Sequence, residues 1–134
     1  INSIKGNIKR FLTIVHPSSI IGSSAKIGRG SLIGNNCNIY SNSSVGIFCN
    51  ISANVSIAPK SNIKNNCFLG FNVIVACNAT IQKNTYMGMK SSLLENIEIK
   101  EGSRILPNTL VHKNYNRKKG IIFGEPSKLI GIEN

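Results

Sequence analysis

The most constraining feature of this sequence is an aliphatic residue that recurs at every sixth position. The series has no gap and comprises Val15, Ile21, Ile27, Ile33, Ile39, Val45, Ile51, Ile57, Ile63, Leu69, Val75, Ile81, Met87, Leu93, Ile99, Ile105 and Val111. A strict internal repeat is typical of a solenoid, in which each repeat packs against its neighbours. Because a period of six is that of a parallel β-helix, the sequence predicts an all-β fold.

The other positions of the hexad agree with this fold. If the aliphatic residue is position i, position i+4 is mostly small or β-branched, and both share the inner face of a strand. Position i+3 is mostly Asn, with Gly at 30 and 102, as expected where a corner needs a positive φ. Three hexads that close a triangle predict about six coils, stacked roughly 4.8 Å apart.

The repeat also divides the chain, which has the length of a single domain. Residues 14–112 are predicted to form the β-helix, and residues 113–134 a basic loop followed by a short cap. The apolar segment KLIGI near the end of the chain is the predicted cap over the open end of the helix. Residues 1–13 are predicted to be the remnant of, or the linker to, an N-terminal domain. No stretch is apolar for long enough to predict a transmembrane span.

Charge and cysteine content limit the kinds of ligand and the cellular location that the sequence predicts. The net charge of +11, from 16 Lys and Arg against 5 Asp and Glu, favours an anionic ligand such as a phosphorylated small molecule. No nucleic-acid-binding motif accompanies it, so nucleic acid is not the predicted partner. Cys37, Cys49 and Cys67 occupy position i+4 and are predicted to be buried free thiols, which indicates a reducing, cytoplasmic location. Cysteine and histidine spacing predicts no metal site.

Two flanking segments carry a family resemblance. Together with the hexads, IVHPSSIIGSSAKIGRGSLIG (14–34) and GEPSKLI (124–130) resemble the left-handed β-helix acyltransferases. The resemblance is closest to the branch that acetylates nucleotide-linked amino sugars, the sialic-acid O-acetyltransferase and bacillosamine-type N-acetyltransferase relatives. It implies a left-handed helix, a homotrimer, acetyl-CoA in the groove between neighbouring helices, and a role in surface-glycan biosynthesis.

The histidine motif of that branch is absent from this sequence. Aligned from the closing segment, the catalytic His corresponds to Pro59, the acidic residue beside it to Lys60, and a second, CoA-contacting His to Phe68. The two histidines of the chain, His16 and His112, lie more than two coils from Pro59 by coil spacing. We therefore expect neither of them to replace the missing base.

Cys77 is the candidate that remains at this corner. It follows Pro59 by one full coil of 18 residues and occupies the same hexad position, so its side chain is predicted to face outward. A thiolate could act as base or nucleophile if its pKa were lowered, and Lys60 lies nearby. The alternative is an ordinary exposed thiol at a corner.

The resemblance also places the cofactor. By position, its CoA contacts fall on Phe68, Met89 and Pro107, and the last two share the hexad position of Pro59. Basic residues near the end of the chain are candidates for the CoA phosphates, with a solvated tail as the alternative; these residues are Arg117, Lys118, Lys119 and Lys128.

Two functions follow from these observations. The first is an acetyl-CoA-dependent N-acetyltransferase of a nucleotide-linked amino sugar that works without a histidine base. Binding and orientation can supply much of the rate, whereas general base catalysis contributes about 10²–10⁴-fold. An amine that is already partly unprotonated tolerates this loss better than a hydroxyl. The second is a non-catalytic trimeric scaffold or sugar-nucleotide-binding module derived from that family.

Overall fold

The computed structural model describes residues 11–134, so most of the predicted N-terminal segment lies outside the described residues. Within that range all regular structure is β, and no helix is available to span a membrane. The strands are β1 (Ile14–Val15), β2 (Ile20–Ile21), β3 (Lys26–Ile27), β4 (Leu32–Ile33), β5 (Asn38–Ile39), β6 (Ser44–Val45), β7 (Asn50–Ile51), β8 (Ser56–Ile57), β9 (Asn62–Ile63), β10 (Phe68–Leu69), β11 (Ile74–Val75), β12 (Thr80–Ile81), β13 (Tyr86–Met87), β14 (Ser92–Leu93), β15 (Glu98–Ile99), β16 (Arg104–Ile105), β17 (Leu110–Val111), β18 (Gly120–Phe123) and β19 (Lys128–Ile132).

These strands form three sheets, one for each side of a triangular prism. Sheet A contains β1, β4, β7, β10, β13, β16, β18 and β19; sheet B contains β2, β5, β8, β11, β14 and β17; sheet C contains β3, β6, β9, β12 and β15. Every third strand pairs in parallel, so that Ile57 of β8 lies beside Val75 of β11. The predicted left-handed parallel β-helix of about six coils is confirmed.

The prism has three long edges, which are named after the sheets that they join. At position i+2 the A–B edge carries Pro17, Asn35, Ala53, Phe71, Met89 and Pro107; the B–C edge carries Ser23, Ser41, Pro59, Cys77 and Glu95; the C–A edge carries Arg29, Ile47, Asn65, Lys83 and Glu101. Residues at one hexad position therefore return to the same edge only after 18 residues.

The lumen is filled as the repeat predicts. Aliphatic residues at position i are buried from Ile33 to Val111, and the small residues at position i+4 pack beside them. The first coil is different, because Val15 is exposed and Ile21 and Ile27 are only partly buried. Because burial of apolar surface contributes about 25 cal/mol per Å², this continuous aliphatic column is the main source of stability.

Serine and cysteine at position i+4 also complete the backbone hydrogen bonds of the corners. The amide of Cys49 donates to Ser31 Oγ at 2.9 Å, and the thiol of Cys49 donates to the Lys64 carbonyl at 3.1 Å. All three predicted lumen cysteines are buried free thiols. The hydrogen-bonded thiol of Cys49, together with burial, raises the pKa of Cys67, which therefore stays protonated.

The corners hold residues with positive φ at position i+3, as predicted, and most of them are Asn. Besides Gly30 and Gly102, three are not Asn: Phe48, Lys60 and Lys90 have φ of 54°, 63° and 57°. Glycine at position i+1 has a different reason. A Cβ on Gly28 would lie 2.5 Å from the carbonyl carbon of Gly46 in the next coil, so the close stacking of coils requires glycine there.

At the C-terminal end, two further strands continue sheet A. Strand β18 continues sheet A in parallel with β16, which places buried Ile122 beside Ile105, and Tyr115 packs against the same core. The KLIGI segment forms β19, which pairs antiparallel with β18 in sheet A, and Leu129 and Ile130 are exposed. KLIGI therefore forms the last strand of sheet A, and its role as a cap over the lumen stays a prediction.

Candidate functional site

The B–C edge holds Pro59, Lys60 and Cys77, the residues that the sequence predicts at the position of the histidine motif. The carbonyl of Pro59 accepts a hydrogen bond from the Asn78 amide at 3.1 Å, which fixes Pro59 directly beside the next coil. Proline is tolerated here because its missing N–H is not needed in the ladder. Lys60 follows in the left-handed region, with its side chain exposed.

Cys77 is the next residue along this edge. It is an exposed free thiol, as predicted, and its carbonyl accepts a hydrogen bond from the Asn96 amide at 3.1 Å. Within residues 11–134, no hydrogen bond involves its sulfur atom. The structure therefore brings Pro59, Lys60 and Cys77 together on one edge, and their catalytic roles stay predictions.

Glu95 was not singled out from the sequence, although it continues the same column. It lies one coil beyond Cys77, is exposed, and takes part in no salt bridge within the described part of the chain. The 18-residue spacing of Pro59, Cys77 and Glu95 was the available signal. A carboxylate beside the thiol gives this edge a second group that can accept a proton.

The predicted CoA contacts lie around sheet A and the A–B edge. The ring of Phe68 is stacked on that of Tyr86, with centroids 5.2 Å apart and an interplanar angle of 5°, and the Arg104 guanidinium lies 4.9 Å from the Tyr86 centroid. Met89 and Pro107 are exposed on the neighbouring edge. These residues line a half-apolar strip that runs parallel to the helix axis.

Two glycines lie between the aromatic column and the edge. Gly70 and Gly88 are buried, and a Cβ at Gly88 would lie 2.6 Å from the Pro107 nitrogen. The backbones of successive coils therefore meet there without intervening side chains. Backbone groups along such a strip are accessible to an extended ligand only where the flanking side chains, chiefly Phe68 and Met89, leave room.

The two sets of predicted site residues occupy different edges of one chain. Met89 is five hexads beyond Pro59, and only every third hexad returns to the same edge. Sheet B lies between the two edges. A site that uses both Pro59 and Met89 therefore needs two copies of the chain, the B–C edge of one beside the A–B edge of the next.

The predicted phosphate-binding residues are not one cluster. Lys118 Nζ lies 3.4 Å from Glu101, and the amide of Lys119 donates to the Glu101 carbonyl at 2.8 Å, both at the C–A edge. Lys128 begins β19 opposite Phe123, at the other end of the hairpin. The C–A edge here encloses a shallow cavity of about 420 Å³, in which Glu101 and Glu133 face the lysines.

Both histidines contact serine hydroxyls away from Pro59. His16 Nδ1 lies 2.8 Å from Ser18 Oγ on the A–B edge of the first coil. His112 Nδ1 lies 3.0 Å from Ser127 Oγ, which the Tyr115 hydroxyl also contacts at 2.8 Å, so this group ties the last coil to the cap. No group of three or more His, Cys, Asp or Glu side chains in residues 11–134 is placed to hold a metal ion.

Comparison with known proteins gives structural likeness without sequence likeness. No protein-family model matches the chain, and no curated protein sequence matches it. A mutant of perosamine N-acetyltransferase from Caulobacter crescentus, solved with CoA and GDP-perosamine, matches with a TM-score of 0.88 at 17% identity over 90% of this chain. The chain spans only 57% of the length of that protein.

Two further structures share the fold. A hexapeptide-repeat acetyltransferase from Vibrio cholerae, complexed with acetyl coenzyme A, has a TM-score of 0.67 at 13% identity, covering 92% of this chain and 72% of that one. A putative acetyltransferase from Bacillus cereus has a TM-score of 0.58 at 24% identity, covering 91% and 78%. At these identities the likeness establishes the β-helix, and activity has to be argued separately.

Proposed function

We propose that this chain is the β-helical part of an N-acetyltransferase that moves an acetyl group from acetyl-CoA to the amine of a nucleotide-linked amino sugar. The observation that carries the proposal is the fold shared with the Caulobacter perosamine N-acetyltransferase, whose structure contains CoA and GDP-perosamine. Surface-glycan biosynthesis is the setting in which such an activity belongs. Because the fold alone does not define chemistry, the surface of the chain has to supply the remaining support.

The surface of sheet B supports assembly of several copies. Its outer face exposes the apolar side chains of Ile20, Tyr40, Ile74 and Leu94, and Ile74 alone is 52% exposed. Asn38, Ser56 and Ser92 lie on the same face. Within residues 11–134, sheet C exposes no large apolar side chain, and the residues before position i in its strands are Lys26, Ser44, Asn62, Thr80 and Glu98. We infer a homotrimer packed through sheet B, since apolar patches of this kind mark protein contacts.

Such a trimer would complete the site. Sheet B is bounded by the A–B and B–C edges, so packing through it brings Pro59 and Cys77 of one copy towards Met89 and Pro107 of the next. The CoA arm would run along the strip beside Phe68 and Met89. Lys128 lies at the turn between β18 and β19. It is the predicted basic residue that we assign to a CoA phosphate.

The proposed reaction is direct acyl transfer. The unprotonated amine attacks the thioester carbonyl, the carbon–sulfur bond breaks as the amide forms, and CoA leaves as the thiol after the amine has lost a proton. Without a histidine, that proton passes to the departing CoA sulfur through water, or through the Cys77 thiolate or the Glu95 carboxylate at the B–C edge. Positioning of the two substrates in the groove then supplies most of the rate.

The first test is binding of acetyl-CoA, followed calorimetrically, with the mass of the complex measured by light scattering. We expect one CoA for each chain in a trimer, and release of free CoA thiol when 3-amino or 4-amino nucleotide sugars are added. Failure to bind acetyl-CoA at millimolar concentration would overturn the proposal. Cys77→Ala activity within a few-fold of wild type would remove Cys77 from the mechanism.

A second function is favoured by Pro59 itself. If the missing base means lost catalysis, the chain is a trimeric scaffold or sugar-nucleotide-binding module of the same fold. In that case the trimer forms and a nucleotide sugar binds, but no thiol is released over hours with any amino sugar nucleotide.

A further inference from the structure

The uncompensated positive charge of this protein is concentrated in its first 94 residues. The acidic residues are Glu95, Glu98, Glu101, Glu125 and Glu133, so the chain has no Asp or Glu before position 95. These carboxylates pair with cations near them: Glu98 with Lys100 at 2.6 Å, and Glu101 with both Lys83 and Lys118 at 3.6 and 3.4 Å. Within residues 11–134, Lys26, Lys60 and Lys64 take part in no salt bridge.

Part of this charge faces outward on sheet C. Lys60, Asn62 and Lys64 alternate around β9, so all three lie on its outer side. Lys26 belongs to the same column as Asn62, with Ser44 between them, and two coil spacings separate the ends by about 10 Å. Ser44 Oγ donates to Asn62 Oδ1 at 2.8 Å, which leaves the Asn62 amide hydrogens available to an anion.

Lys60 is placed where stability does not require a lysine. Its φ of 63° is in the left-handed region, and the preceding and following coils of the same edge have Asn42 and Asn78 there. Asparagine tolerates this conformation better than lysine does. The corner therefore does not require a lysine here, and what sets Lys60 apart from Lys90, which has the same backbone conformation, is its position next to Pro59 and the other lysines of sheet C.

We propose that Lys26, Lys60, Asn62 and Lys64, the sheet C patch, bind the diphosphate of the nucleoside diphosphate that carries the acceptor sugar. This inference rests on the proposed function for the identity of the ligand. A diphosphate suits the patch because it brings two anionic groups on one flexible unit to several ammonium groups and an amide donor. The patch adjoins the B–C edge, so a sugar extending from the diphosphate reaches Pro59 and Cys77.

The test is titration with inorganic pyrophosphate and with GDP, followed by NMR of the intact chain, with and without saturating CoA. The variants Lys60→Asn and Lys64→Gln remove charge at the patch. Lys90→Asn is the matched control, because Lys90 also has a positive φ but lies on the A–B edge. CoA contains a diphosphate of its own, so binding that persists with CoA bound belongs to a separate site.

We expect each patch variant to weaken pyrophosphate and GDP binding about fivefold or more, as loss of one charge-assisted contact does, while Lys90→Asn stays within about twofold. Thermal stability of Lys60→Asn should equal or exceed that of wild type. Equal weakening by Lys90→Asn, or no binding of either probe, would overturn the inference. If CoA binds and the probes do not, the proposed function stands without this patch. If the probes bind and CoA does not, the patch stands and the acetyltransferase proposal fails.

Discussion

The lumen and the B–C edge of this helix obey opposite rules. Inside, each coil repeats an aliphatic residue beside a small one. Ile57, Val75 and Leu93 follow one another in successive coils and are all buried. On the B–C edge the coils carry Ser41, Pro59, Cys77 and Glu95 in turn. Packing against identical neighbours demands repetition, whereas a side chain that points to solvent is free to differ. Departures from the repeat are therefore the places to look for chemistry.

The largest expected effect separates these two regions by stability. Ile57 is fully buried, and Ile57→Ala should lower the free energy of unfolding by about 2–5 kcal/mol through lost burial and the cavity left behind. Cys77→Ala, on the exposed edge, should change it by less than about 0.5 kcal/mol. Urea denaturation followed by circular dichroism measures both. Similar costs for the two substitutions would mean that the edge, too, is held by packing.

A smaller but more specific effect concerns Pro59, the proline at the predicted position of the base. Pro59→His should raise the acetyl-transfer rate by up to about 10²-fold, because an imidazole with an ordinary pKa is partly neutral at neutral pH and can accept the amine proton. The matched control is Pro17→His, a proline at the same hexad position on the A–B edge of the first coil. A higher acetyl-transfer rate with both variants, or with neither, would show that the amine proton is not removed at the B–C edge.

The same contrast explains what the sequence could predict. The period of six determined the strands, the lumen and the corners, because each is repeated many times and every repeat reports the same physical demand. The buried cysteines and outward-facing Cys77 followed from their positions in the hexad. The separation of Met89 from Pro59 is less visible, since a hexad does not reveal which of three edges it occupies until the 18-residue turn is counted.

Other features required the folded chain. KLIGI has the apolar composition of a cap, yet the residue that extends the buried core beyond Ile105 is Ile122, because the preceding loop returns the chain to sheet A. The basic tail reads as one cluster in the sequence, but a hairpin sends Lys118 and Lys128 to opposite ends. Both cases depend on where an irregular segment re-enters the ladder, and no periodicity records that.

The smallest expected effect compares two carboxylates near the B–C edge, one paired and one not. Lys100 Nζ and Gln82 Nε2 both contact Glu98, at 2.6 and 2.7 Å, and these hydrogen bonds lower the pKa of Glu98 from its ordinary value of 4.5. A carboxyl whose pKa is lowered by folding stabilises the folded state above its unfolded pKa, and that contribution is lost as the pH falls through the folded value.

Because this pair is partly exposed to solvent, Glu98→Gln should cost only about 0.2–1 kcal/mol at pH 7 and nothing once the pH lies well below 4.5. Glu95→Gln is the control, since Glu95 has no salt-bridge partner in residues 11–134 and its loss should leave stability unchanged at both pH values. Denaturant titrations at pH 7 and at low pH measure the difference. If Glu95→Gln instead lowered the free energy of unfolding in a pH-dependent way, then Glu95 and not Glu98 would be the carboxylate whose interactions stabilise the folded state.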